Sequence, residues 1–170
     1  MTESASKSRD PVTPPLTGSD FVAWCGTSWN EYVKLGGVCE FLQMHPVAMN
    51  QAGSAIIEVK IPESLWNPMG MLHGGATALV LDEVGGLAVS CLVHFAFLRS
   101  TVEAKVTYFS RLRPGTLIAR GKVVHRSGNL VFTESEMLTE SGEVAAKSSS
   151  TFLISRDTPP ATPDHERQDW

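Results

Sequence analysis

The sequence predicts an α+β domain: a curled, six-stranded antiparallel sheet wrapped around one long central helix, with a short N-terminal helix ahead of them. Three observations lead there. The run Ala76 to Phe97 is apolar almost all round, and Asp82, Glu83, Gly85, Gly86 and His94 interrupt it. A helix apolar on every face must be enclosed, and these interruptions fit a core helix better than a bilayer span. After it the pattern changes to period two, in four segments joined by short turns, which is how an antiparallel meander reads. Before it stand two further β-rich segments.

Composition sets limits on this picture. A chain of 170 residues, 42% hydrophobic and 19% charged, is large enough to bury one sizeable core without staples. A formal net charge of −4 argues against nucleic acid as a main partner. Cys25, Cys39 and Cys91 have neither close pairing nor metal-ligand spacing, so free thiols in a reducing compartment are the default, with Cys91 a small core residue. The first residues are rich in Ser, Thr and Pro and lack an apolar h-region, which is not a secretory signal. The expected layout is a disordered tail over 1–17, a folded domain over 18–156 and a second disordered tail over 157–170. The default location is cytoplasmic, with the mitochondrion left open.

The elements follow in order. Ser19-Asp20 caps a short helix to Leu35, in which Trp24 and Trp29 are packing residues, and Gly36-Gly37 ends it. Phe41 to Ala48 and Ser54 to Pro62 read as strands around the turn Asn50 to Gly53, with β-branched Ile56, Ile57, Val59 and Ile61. A loop from Glu63 to Leu72 leads to the long helix, about Gly74 to Val93. Strands follow at Thr101 to Phe109, Thr116 to His125, Leu130 to Thr139 and Glu143 to Ile154. The turns between them are Arg113-Pro114-Gly115, Arg126 to Asn129 and Glu140 to Gly142. Two mid-helix glycines, Gly85 and Gly86, cost about 1 kcal/mol each relative to alanine. Close approach of the sheet or of a partner helix is the expected return, and a kink is the alternative.

The chemistry concentrates in Asn67-Pro-Met-Gly-Met-Leu-His73-Gly74-Gly75, which runs into the helix bearing Asp82. Backbone amides at a helix start lack intrahelical partners and sit at the positive end of the dipole, so they form an anion site. A carboxylate two turns into an apolar helix is costly to bury unless something uses it. An oxyanion site and an acid/base or nucleophile on one short element point to chemistry at a carbonyl carbon. Glu83 projects about 100° away from Asp82 and reads as a surface or interface residue. His94 lies near the helix end, and His45 and His125 show no metal-ligand spacing.

These residues resemble the hotdog-fold acyl-CoA thioesterases, in the branch that includes the phenylacetate-pathway thioesterases and the human thioesterase superfamily member 2. The resemblance spans roughly Phe41 to Ile154. It rests on Asn67 to Gly75, on Asp82 nine residues after His73, on Thr101 to Gly115 with its Val-Thr-Tyr-Phe-Ser-Arg core, and on the hairpin Leu138 to Val144. It implies hydrolysis of an acyl-CoA thioester to a free acid and CoA. On that resemblance the Gly74 amide binds the thioester oxygen, and Asp82 attacks or activates water. Asn67 orients the water or the carbonyl, and His73 fixes the turn and polarises the thioester. Thr101 stands where the human relative has a serine whose hydroxyl holds the water.

The resemblance also implies a CoA site along Tyr108, Phe109, Ser110, Arg111, Leu112 and Arg113, with His125, Arg126, Ser127, Gly128 and Asn129. Three arginines in two turns read as adjacent would pair with phosphates. It implies a homodimer or homotetramer with each site across the dimer interface, no metal, and no cofactor beyond the CoA of the substrate. A hotdog hydratase or dehydratase and a non-catalytic acyl-CoA-binding protein are the alternatives. The acyl group, and a place in fatty acid metabolism or another pathway, are not read from the sequence.

Overall fold

The computed structural model describes residues 37–93, 98–113 and 115–155. The helix expected over Asp20 to Leu35, with Trp24 and Trp29, lies outside them, as do Cys25, His94 and the two expected tails. The described elements are a one-turn helix α1 (Val38–Phe41), strands β1 (His45–Asn50) and β2 (Ser54–Lys60), and a 3-10 turn (Glu63–Leu65). The long helix α2 (Gly74–Leu92) follows, then strands β3 (Leu98–Tyr108), β4 (Thr116–Ser127), β5 (Leu130–Leu138) and β6 (Val144–Ser155). All strands join one six-stranded sheet in the order β1-β2-β4-β5-β6-β3, antiparallel at every pairing.

Helix α2 packs on all six strands, so the expected hotdog architecture is present. By length and composition α2 could cross a membrane, yet the sheet encloses it. Val80, Leu81, Val84, Leu87 and Ala88 are fully buried against Ala55, Ile57, Val59, Ala119 and Met137. Burying one such Leu, Ile or Val side chain contributes about 1.5–3 kcal/mol. Cys91 is buried in the same core.

The structure differs from the sequence expectation in two places. The four later strands do not form one meander: β3 pairs with β6 at the far edge, and β4 lies between β2 and β5, so the chain from β3 to β4 joins strands that are not neighbours. Turn residues mark where a chain reverses but not which strand lies beside it. A strand is predicted from Phe41 to Ala48, but the chain makes the α1 turn first and β1 begins at His45. Gly37 at φ 95 and Gln43 at φ 44 hold left-handed conformations on either side of α1, which an extended strand does not accommodate. Strand β1 then lies at the sheet edge, where Pro46 costs little by lacking an N–H.

The close approach expected at Gly85-Gly86 is real, and α2 runs unbroken through both. A Cβ on Gly85 would stand 3.0 Å from Ser135 Oγ and 3.2 Å from Thr133 Oγ1 of β5. Across the same contact, a Cβ on Gly121 of β4 would meet the Val84 carbonyl oxygen at 2.5 Å. Helix and sheet touch backbone to backbone here, and this fixes how deep α2 sits.

Candidate active site

The turn before α2 is built from its own polar groups. Asn67 Oδ1 accepts the N–H of Met69 at 2.9 Å and of Met71 at 3.2 Å. The Asn67 N–H donates to the Met71 carbonyl at 2.7 Å, and Gly70 supplies φ 71. With Oδ1 committed to the turn, the side-chain amide nitrogen is the part of Asn67 left to meet a substrate. The His73 N–H donates to the Leu65 carbonyl and the Leu72 N–H to the Leu112 carbonyl, both at 3.1 Å, tying the turn to its neighbours.

The start of α2 distributes its amides unequally. The His73 ring caps the helix: Nδ1 accepts the Gly75 N–H at 3.0 Å, so the proton of the neutral ring lies on Nε2. The His73 carbonyl accepts the N–H groups of Ala76 at 3.0 Å and Thr77 at 3.1 Å. Of the first four helix amides, which have no intrahelical acceptor, only Gly74 is left without one among the described residues. The Tyr108 hydroxyl donates to the Gly74 carbonyl at 2.9 Å, fixing the next peptide along, Gly74–Gly75.

A cavity of about 240 Å³ opens at this amide, lined chiefly by Met69, Met71, Leu72, Gly74, Thr77 and Tyr108. Arg111 lines it too, and also lines a second cavity of about 350 Å³ shared with Arg113, Thr139 and Glu140. Thr77, buried beneath the first cavity, was not singled out in the sequence. Its place three residues into the helix from Gly74 is the signal that points to it.

Asp82 lies further along α2 and is partly exposed. Thr101 Oγ1 of β3 sits astride its carboxylate, 3.0 Å from Oδ1 and 3.1 Å from Oδ2, and donates to it. Glu83 turns elsewhere. Its Oε2 accepts from the Cys39 thiol at 3.5 Å and stands 3.9 Å from an Arg99 guanidinium nitrogen. Burial first, and the Glu83 charge second, push the Cys39 thiol up to about 12, so Cys39 is an inert thiol at neutral pH. Gly74 and Asp82 are separated by eight residues of continuous helix, about 12 Å along its axis. One reacting carbonyl cannot touch both within a single chain.

The residues expected to hold CoA divide into two groups. Tyr108, Phe109, Ser110, Arg111, Leu112 and Arg113 lie at the end of the sheet that carries the Gly74 turn. His125, Arg126, Ser127, Gly128 and Asn129 form the hairpin at the far end of β4. The two turns taken as adjacent in sequence are thus separated by the whole of β4, about 35 Å, and within one chain the three arginines do not converge. Leu112 is buried and Tyr108 is engaged with Gly74, so both serve the turn itself. Arg126 Nε donates to the Gly128 carbonyl at 3.1 Å, and the His125 ring lies 5.9 Å from that of Phe132.

Comparison with known proteins finds a family match over this region. The model of the thioesterase superfamily matches residues 69–146, the span from the turn through α2 to the start of β6. Over that span the chain is similar to the thioesterase superfamily. Among relatives, acyl-coenzyme A thioesterase 13 of Homo sapiens is 30% identical over 86 residues, 50% of this chain and 61% of that protein. The chain therefore spans 61% of that relative's length. A thioesterase from Haemophilus influenzae shares the fold, with a TM-score of 0.69 and 17% identity over 76% of this chain and 90% of that one. So does a Streptococcus mutans protein solved bound to acetyl-CoA, with a TM-score of 0.60 and 20% identity over 66% of this chain and 88% of that one.

Proposed function

We propose that this protein hydrolyses acyl-CoA thioesters to a free acid and CoA. The observation that carries the reading is the Gly74 amide, the helix-start donor left unclaimed, at the mouth of an apolar cavity. A thioester carbonyl placed there directs its oxygen at the N–H. As a nucleophile adds to the carbonyl carbon, negative charge gathers on that oxygen, and one such donor is worth about 3 kcal/mol in the transition state. Asp82 supplies the nucleophile, either by taking a proton from water or by attacking and passing through an anhydride that water then opens. The C–S bond breaks and CoA leaves as its thiolate, which takes up a proton. CoA enters as part of the substrate, and no cofactor is drawn on.

The separation of about 12 Å between Gly74 and Asp82 supports a site shared between two copies, one giving the turn and the other the carboxylate. Strand β3 supports the same reading. It pairs only with β6 among the described strands, and Val102 on it is 61% exposed. An 11-residue edge left open invites pairing. Two copies would also bring the Arg111 end of one chain toward the Arg126 hairpin of the other. The identity with the human acyl-coenzyme A thioesterase and the acetyl-CoA held by the Streptococcus mutans protein favour CoA esters as the substrate class.

Thiol release from acetyl-, hexanoyl-, palmitoyl-, phenylacetyl- and benzoyl-CoA tests the reading, with Asp82→Asn beside the wild type. Release that falls by orders of magnitude in the variant, with ester binding retained, is the expected result, and the ranking of esters identifies the acyl class. Silence across the panel, or full turnover by the variant, would overturn it.

A further inference from the structure

Beside the Asp82–Thr101 pair lies a second tie between β3 and α2. Arg99 and Thr101 are two residues apart on β3 and face the same way, toward the helix. Arg99 Nη1 donates to Ser90 Oγ at 2.8 Å, and Nη2 stands 3.9 Å from Glu83 Oε2. Both ends are sheltered, the Arg99 and Glu83 side chains being 18% and 16% exposed. Ser90 is 2% exposed. Between these contacts the guanidinium stem crosses α2 directly over Gly86. A Cβ on Gly86 would stand 2.5 Å from Arg99 Nε and 3.3 Å from Cδ, so only glycine leaves this seat open. A glycine in mid-helix is a poor helix former, and the Arg99 seat is what the fold gains from it.

We propose that Arg99 is a positioning residue for the Asp82–Thr101 pair. The ladder to β6 fixes the register of β3 within the sheet, whereas its distance from α2 is set by the side chains between them. A bulge between Thr101 and Glu103 loosens the ladder at the point where Thr101 must be held. Arg99 supplies the missing restraint one pleat away, with two anchors a helical turn or more apart on α2. It also stands beside Glu83, the carboxylate next to Asp82 on α2. The Thr101 hydroxyl is thereby kept astride both Asp82 oxygens.

This inference rests on the proposed hydrolysis, and its test separates the two. Turnover and KM for hexanoyl-CoA are measured for wild type, Asp82→Asn, Arg99→Gln, Thr101→Val, the Arg99→Gln/Thr101→Val double variant and Gly86→Ala, each with its unfolding temperature. Arg99→Gln and Gly86→Ala are expected to lower kcat roughly 10- to 100-fold while KM stays within about twofold. In the Thr101→Val background, Arg99→Gln is expected to add little, because it acts through the hydroxyl already removed. Unchanged kcat in Arg99→Gln would overturn the positioning role. Full multiplication of the two single effects would do the same, as would a loss confined to KM. If Arg99→Gln fails to fold, Gly86→Ala, which displaces the side chain without deleting it, decides on the same criteria. Loss of turnover in Asp82→Asn but not in the Arg99 and Gly86 variants sinks this inference alone, whereas a silent wild type sinks the hydrolysis as well.

Discussion

His73 takes at the start of α2 the place that Ser, Thr, Asp or Asn takes at most helix starts. Using ring nitrogen and carbonyl together, it satisfies three amides and leaves Gly74 alone. That arrangement offers an unusually clean substitution. Gly74 is the first helical residue, where proline fits, and His73 at φ −64 and ψ 137 already holds the backbone that a following proline requires. A Cβ at Gly74 would meet Tyr108 only at 3.6 Å, an ordinary contact. Gly74→Pro therefore removes the N–H at little cost to the helix, and its ring Cδ takes the place of the hydrogen at the cavity. It should cut kcat by about 100- to 1,000-fold with the unfolding temperature nearly unchanged, while Gly74→Ala, which keeps the donor, loses far less. Equal losses in both variants would mean crowding and not a missing amide. The His73-Gly74 pair was legible in the sequence because the two residues are consecutive and open an apolar helix. Arg99 was not: its partners lie on α2, and only the register of β3 brings them under it. The predicted strand began at Thr101, two residues too late to include it.

At the scale of elements, the strands were legible because alternation and turn residues are local signals, and each hairpin lies within two or three residues of its expected place. Helix α1 was missed because its four residues, Val38 to Phe41, are too few to display a helical period, and the positive φ of Gln43 has no signature in the sequence. The fit of α2 into the sheet depends on contacts that a sequence does not display. At Gly121 the helix backbone is the obstacle, and no rotamer change relieves it. Gly121→Ala must lift α2 off β4 and should cost about 1–3 kcal/mol, read as a lower urea midpoint. Thr133 faces the same helix from β5, and its buried hydroxyl has no hydrogen-bond partner among the described residues. Thr133→Val replaces that hydroxyl with a methyl of similar size and removes an unsatisfied group, a change that should be neutral to stabilising by up to about 1 kcal/mol. A destabilised valine variant would show that the hydroxyl has a partner in solution.

For the whole molecule the question is how many chains make one site. A single chain holds the Gly74 turn at one end of α2 and a carboxylate with its hydroxyl partner about 12 Å away. It also holds arginines at both ends of β4 that do not meet. No local pattern in a sequence distinguishes groups that converge within a chain from groups that converge between copies, which is why the two CoA segments read as adjacent turns. Mixing inactive variants separates the cases. Asp82→Asn lacks the carboxylate and keeps the turn, whereas Gly74→Pro lacks the turn amide and keeps the carboxylate. In a two-fold dimer whose sites each draw on both chains, a mixed dimer has one site with both defects and one site with neither. Random reassortment makes half of all dimers mixed, each with one of its two sites intact. Co-refolding equal amounts of the two variants should then return about a quarter of wild-type hexanoyl-CoA turnover, from parents that are each nearly silent. Sites complete within one chain would give no recovery, because every chain in the mixture carries a defect of its own. Recovery that appears only after co-refolding, and not on simple mixing, would add that the dimer exchanges subunits slowly.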